Sequence, residues 1–146
     1  MNKNTEIKRV INIKNETETG NFGKELAENL EAGDVIALIG NLGTGKTALT
    51  SYIARGLGIK ERVNSPTFTI VKEYRNGRLP LYHFDVYRVN DYDELFNIGA
   101  DEYFYGKGVC VIEWADLIEE ILPENTKFIY IEYGEAEGER IYKCTF

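Results

Sequence analysis

Gly40-Asn41-Leu42-Gly43-Thr44-Gly45-Lys46-Thr47 occupies every fixed position of the phosphate-binding pattern G-x-x-x-x-G-K-[ST]. Val35-Ile36-Ala37-Leu38-Ile39 precedes it as an apolar run of buried-strand length. Ala48-Leu49-Thr50-Ser51-Tyr52-Ile53-Ala54-Arg55 follows with a spacing that continues as a helix. Strand, glycine loop and helix in that order predict an α/β fold with the loop at the carboxyl end of a strand. Gly43 and Gly45 let backbone N–H groups turn inward as an anion nest, capped by the positive end of the helix. Such a cradle suits the β-phosphate of a nucleotide. Lys46 would reach the β- and γ-phosphates, and the Thr47 hydroxyl would ligate a bridging magnesium ion.

Working outward, Phe22, Leu26, Ala27 and Leu30 recur at helical spacing after Thr17-Glu18-Thr19, and Gly33 supplies a stop. Lys8 to Ile13 alternates loosely and reads as an edge strand. The helix after Lys46 runs to Gly56 or Gly58. Thr67 to Tyr74 and Leu79 to Asp85 read as strands joined at Asn76-Gly77, a hairpin signal. Short helices are expected from Asp91 and over Asp101 to Tyr105. Val109-Cys110-Val111-Ile112 reads as a second fully buried strand, followed by a helix from Ala115 to Ile121 that ends before Pro123. Lys127 to Tyr133 and Arg140 to Phe146 form a terminal hairpin. The expected architecture is a single P-loop NTPase domain over residues 1–146. It has a mixed central sheet, helices on both faces, and an antiparallel insertion between two parallel-type strands.

Composition narrows the function. The 146 residues are 43% hydrophobic, enough for one continuous core. Seventeen Lys and Arg against 24 Asp and Glu give a net charge of −7, which argues against a nucleic-acid grip through a broad basic surface. Met1 to Glu6 lacks the apolar core of a signal peptide, and no run approaches a membrane span, so a cytoplasmic chain without membrane contact is expected. Cys110 and Cys144 show no metal-ligand spacing; a reduced state is expected, with a disulfide between them as the alternative.

Two strand ends carry carboxylates. Leu81-Tyr82-His83-Phe84-Asp85 and Val111-Ile112-Glu113 both run apolar into an acid, which is how phosphate-loop enzymes present the acid that holds magnesium or orients water. Loop, Asp85 and Glu113 would emerge on the same side of an open sheet. Ser65-Pro66-Thr67 lies where a switch segment would sit, with Thr67 placed to sense the γ-phosphate or its magnesium. Alternation puts His83 on the Asp85 side, where it reads as a packed or hydrogen-bonded strand histidine. Trp114, the one tryptophan, is expected to face away from Glu113 and to report on the site only through the strand end.

These residues together resemble the TsaE family, also called YjeE, the small bacterial ATPases of tRNA threonylcarbamoyladenosine biosynthesis. The resemblance rests on Thr19 with Gly23 and Leu26-Ala27, the glycine loop, Ser65-Pro66-Thr67-Phe68-Thr69, His83-Phe84-Asp85-Val86-Tyr87-Arg88 and Glu113-Trp114. It implies ATP or ADP held by the loop residues Asn41, Leu42, Gly43, Thr44, Gly45, Lys46, Thr47 and Ala48. It also implies magnesium at Thr47, Asp85 and Glu113, and catalytic roles for Lys46, Asp85, Glu113 and Thr67. Thr19 would lie near the adenine, and Arg140 would reach the nucleotide from the last hairpin. The implied partners are the TsaD and TsaB proteins, with tRNA met only through that complex. Two other readings stay open on the residues alone: a small-molecule kinase using the same loop, and a nucleotide-dependent binding module without useful hydrolysis. A guanine-reading Asn-Lys-x-Asp segment does not follow the loop, which disfavours a GTPase.

Overall fold

The computed structural model describes residues 5–66 and 69–146. A seven-stranded sheet carries the fold, in the order β1-β7-β6-β2-β5-β4-β3. Its strands are β1 (Arg9–Ile13), β2 (Val35–Ile39), β3 (Val71–Tyr74), β4 (Leu81–Asp85), β5 (Val109–Glu113), β6 (Lys127–Tyr133) and β7 (Arg140–Cys144). The central four, β6, β2, β5 and β4, run parallel, whereas β3, β7 and β1 pair antiparallel at the margins. The two apolar runs of the sequence, β2 and β5, are therefore neighbours at the middle of the sheet, where both faces are covered.

Strand alternation divides the core in two. Ile36 and Leu38 of β2 face one cluster with α1 (Glu16–Glu28) and α2 (Lys46–Gly56). Val35 and Ala37 face the other, with α3 (Tyr92–Asn97), α4 (Ala100–Phe104) and the segment Ala115–Ile121. Asn15 starts α1 by accepting the Glu18 N–H at 3.0 Å, and acids in the first turn complement the helix dipole. The helix pair α1 and α2 packs closely because small residues stand at the crossing. A Cβ placed on Gly23 would lie 2.7 Å from Tyr52 Cβ and 3.2 Å from the Ile53 backbone nitrogen. Gly23→Val is therefore expected to destabilise by about 1–3 kcal/mol through overpacking, read as a lower Tm in a thermal melt. An unchanged Tm would contradict this crossing.

The expected mixed sheet with helices on both faces is present, and three local readings are corrected. The antiparallel insertion is only β3, since β4 runs parallel to β5 and belongs to the central sheet. β3 begins at Val71, after Ile70 adopts a left-handed φ of 68° that interrupts extended backbone; Thr67, the expected start, lies outside the described residues. The helix over Ala115–Ile121 is a 3₁₀ segment broken at Ile118 (φ −129°, ψ 23°). It ends at Ile121, as expected, because Leu122, ahead of Pro123, is pushed into extended backbone (φ −72°, ψ 148°). Among the described residues no helix is long and apolar enough to cross a membrane. Both cysteines are free and buried, and burial pushes Cys110 up to about 12 and Cys144 up to about 11, leaving unreactive thiols.

Candidate functional site

Gly40 to Gly45 connects β2 to α2 at the carboxyl edge of the parallel strands. Gly43 (φ 85°) and Gly45 (φ 93°) both hold left-handed backbone, and Gly45 is the N-cap of α2 with no side-chain cap. The first N–H groups of a helix have no partner inside it. In α2 the ladder closes first at Leu49, whose N–H donates to the Gly45 carbonyl at 2.9 Å. The N–H groups of Lys46, Thr47 and Ala48 thus form the open positive end of an 11-residue helix.

The loop is tied from inside and from the last hairpin. Asn41 turns its carbonyl inward, accepting from Thr44 Oγ1 at 2.7 Å and from Lys46 Nζ at 3.1 Å. Tyr133, near the end of β6, donates its hydroxyl to the Leu42 carbonyl at 2.7 Å. Arg140, at the start of β7, donates Nε to the Thr44 carbonyl at 3.0 Å and a terminal nitrogen to the Gly43 carbonyl at 3.3 Å. Its guanidinium lies 4.9 Å from the Tyr133 ring centroid. These two side chains brace the loop on the hairpin.

Lys46 is nearly buried, at 5% exposure, and its ammonium also donates to the Gly40 carbonyl at 2.6 Å. Burial lowers its pKa, opposed by the negative charges of Glu113, Asp85 and Asp116. Thr47, the next residue, donates its hydroxyl to both oxygens of Glu113, at 3.0 and 2.9 Å. Glu113 ends β5 at 3% exposure, and a carboxylate so buried requires partners. Beside Thr47 it has His83, whose Nε2 stands 2.5 Å from Oε2. Asp85 ends β4 opposite Glu113 in the parallel register. Its two oxygens accept from Ser65 Oγ at 2.6 Å and from the Tyr87 N–H at 3.0 Å.

Leu42, Gly43, Gly45, Lys46, Thr47, Ala48, Ser65, Asp85, Glu113 and Trp114 line one cleft of about 370 Å³. A second cleft of about 370 Å³ adjoins it through Gly45 and Ala48 and is lined by Thr19, Thr44, Glu137, Arg140 and Tyr142 among others. Of the residues singled out in the sequence, Leu42, Gly43, Gly45, Lys46, Thr47, Ala48, Asp85 and Glu113 meet at the first cleft, while Thr19, Thr44 and Arg140 meet at the second. Asn41 lines neither and acts through its carbonyl. Thr67 lies outside the described residues.

Trp114 departs from expectation. It holds a left-handed φ of 63° at the end of β5 and packs against the cluster that holds Ile112, the side alternation gives it, yet its ring also reaches the cleft. The ring forms a cleft wall, with the Lys46 ammonium 4.0 Å from its centroid and the Tyr87 ring 4.6 Å away at 43°. Sequence reading also missed Tyr133 and the bond of Ser65 to Asp85. A tyrosine in a hairpin strand gives no signal of the loop it reaches, whereas Ser65 had one in its place beside Thr67.

The cradle has the donors an anion needs: two left-handed glycines, an uncapped helix end and a buried ammonium. A Cβ on Gly45 would meet nothing within 4 Å, so the loop opens to free space there. Among the described residues no three of His, Cys, Asp and Glu cluster to hold a metal. Thr47 with Glu113 and Asp85 fits magnesium, which takes one or two carboxylates and completes its shell with phosphate oxygens and water.

The family model for "Threonylcarbamoyl adenosine biosynthesis protein TsaE" matches residues 13–142. The tRNA threonylcarbamoyladenosine biosynthesis protein TsaE of Bacillus subtilis (strain 168) is 54% identical over 126 residues, 86% of this chain and 78% of that protein. The protein of the same name from Treponema pallidum is 46% identical over 123 residues, 84% of this chain and 90% of that protein. The crystal structure of YdiB from Bacillus subtilis superposes with a TM-score of 0.81 at 44% identity, covering 95% of this chain and 86% of that one. The match runs from the end of β1 into β7, across the glycine loop and both carboxylate strands, and the chain belongs to the TsaE family.

Proposed function

We propose that this chain is a P-loop ATPase that takes part in tRNA threonylcarbamoyladenosine modification, a slow magnesium-dependent switch acting on a TsaD–TsaB complex in the cytoplasm. The observation that carries the reading is the contact of the Thr47 hydroxyl with both oxygens of Glu113 at the mouth of the glycine loop. It joins the phosphate cradle of α2 to a strand-end carboxylate on β5, the pairing that nucleotide hydrolysis requires. Thr47 and Glu113, with Asp85 beside them, would hold magnesium, which would supply charge neutralisation at the phosphates. Lys46 adds a fixed positive charge, and the amides of Lys46, Thr47 and Ala48 orient the phosphates. Asp85, tied through both oxygens, holds a second negative charge at the cleft. Ser65, two positions before Thr67 in the sequence, lines the cleft and donates to Asp85, which supports a switch role for this stretch. Thr19 and Arg140 line the neighbouring cleft, where the base and sugar would extend.

Phosphate release tests the reading. The purified chain should hydrolyse ATP slowly, and a TsaD–TsaB complex should both accelerate it and be captured in a nucleotide-dependent manner. Equal rates with and without that complex, or transfer of phosphate to a small-molecule acceptor, would overturn it. Trp114 gives an independent readout, because its indole walls the cleft and touches the Lys46 ammonium. ATP or ADP with magnesium is expected to change the emission of this one tryptophan saturably, and a flat trace with the site filled would contradict the placement.

A further inference from the structure

His83 is the one histidine of the chain, and its ring, carried by β4, is fully buried. Its Nε2 stands 2.5 Å from Glu113 Oε2, while its Nδ1 has no hydrogen-bond partner among the described residues. An apolar side chain would fill this position without desolvating an imidazole or orphaning a ring nitrogen. Among the described residues the polar ring has one polar contact, and that contact is with Glu113. Glu113 accepts in turn from Thr47, so His83, Glu113 and Thr47 form a chain that runs from the core to the cleft.

The direction of that chain follows from its groups. An ionised Glu113 only accepts, so both Nε2–H and the Thr47 hydroxyl donate to it. A hydroxyl whose hydrogen is committed to a carboxylate keeps its lone pairs free for the cleft. We propose that His83 is a positioning residue for the metal site: it fixes the Glu113 carboxylate through Nε2–H and, through Glu113, turns the Thr47 oxygen toward magnesium. The inference rests on the ATPase reading and assigns that site a support buried behind it. Partners of this kind, behind metal ligands, commonly account for about 10–100-fold in metal affinity.

The test compares His83→Phe with His83→Gln, whose amide keeps a donor at similar reach, by ADP affinity with and without Mg²⁺ and by circular dichroism. His83→Phe should bind Mg²⁺-free ADP within about threefold of the wild-type chain, because the loop amides are untouched. It should lose about tenfold or more of the gain that Mg²⁺ gives, and His83→Gln should restore part of that gain. A folded His83→Phe with the full gain overturns the inference. NMR of the wild-type imidazole guards against a variant that does not fold, since a single histidine gives unambiguous ring signals. Adding Mg²⁺ to the ADP complex should shift them, although the ring is buried. Unmoved signals at saturation overturn the proposal. A wild-type chain that binds no ADP overturns the ATPase reading and this inference together, whereas binding with an insensitive His83 overturns the inference alone.

Discussion

Lys46→Ala is expected to weaken ATP binding by about 10²-fold and leave the fold in place. Among the described residues that line the first cleft Lys46 carries the one basic side chain, and a hydrogen bond from a charged donor is worth about 1.5–3 kcal/mol, with each 1.4 kcal/mol equal to tenfold. Its contacts in the structure are with the Gly40 and Asn41 carbonyls and the Trp114 ring, all of them parts of the site. The side chain is nearly buried. Even so it belongs to neither hydrophobic cluster, and truncation should alter the loop rather than the core. Equilibrium dialysis with labelled ATP, beside a circular dichroism melt, checks both halves. Unaltered affinity in a folded variant would remove this loop as the site.

Glu113→Gln should cut magnesium-dependent hydrolysis by about 10²-fold or more while sparing binding through the loop amides. The carboxylate meets His83 Nε2 with one oxygen and accepts from Thr47 on both. A glutamine can keep its carbonyl on only one of these partners. With the carbonyl toward His83, the amide N–H₂ faces Thr47 and takes up a lone pair of the hydroxyl that magnesium would use. The swap nearly conserves volume, so the fold should be kept and the loss should appear in the rate. Phosphate release at wild-type rates, alone and with partners, would contradict the role.

The parts of the molecule that were legible in the sequence are those in which local chemistry dictates the answer. β2, the glycine loop and α2 follow from an apolar run, two left-handed glycines and a helical repeat, and each lies where the sequence put it. Asp85 and Glu113 were readable because an acid at the end of an apolar strand is conspicuous, and the parallel register does set them side by side. What alternation could not show was that Trp114 walls the cleft, because a left-handed residue at the strand end carries the ring out to Lys46. The parallel pairing of β4 with β5 was equally hidden, since Asn76-Gly77 signals a hairpin locally and says nothing of the second neighbour. The bracing of the loop by Tyr133 and Arg140 joins residues more than 90 positions apart, as between Tyr133 and Leu42. Contacts of that kind exist only once the sheet has ordered its strands.

The most direct test of the account is a calorimetric titration of the wild-type chain with ATP, in the presence and absence of Mg²⁺. The glycine loop with Thr47 and Glu113 predicts one site per chain, filled saturably and tightened by Mg²⁺. An absence of saturable heat, or an affinity indifferent to Mg²⁺, would contradict it.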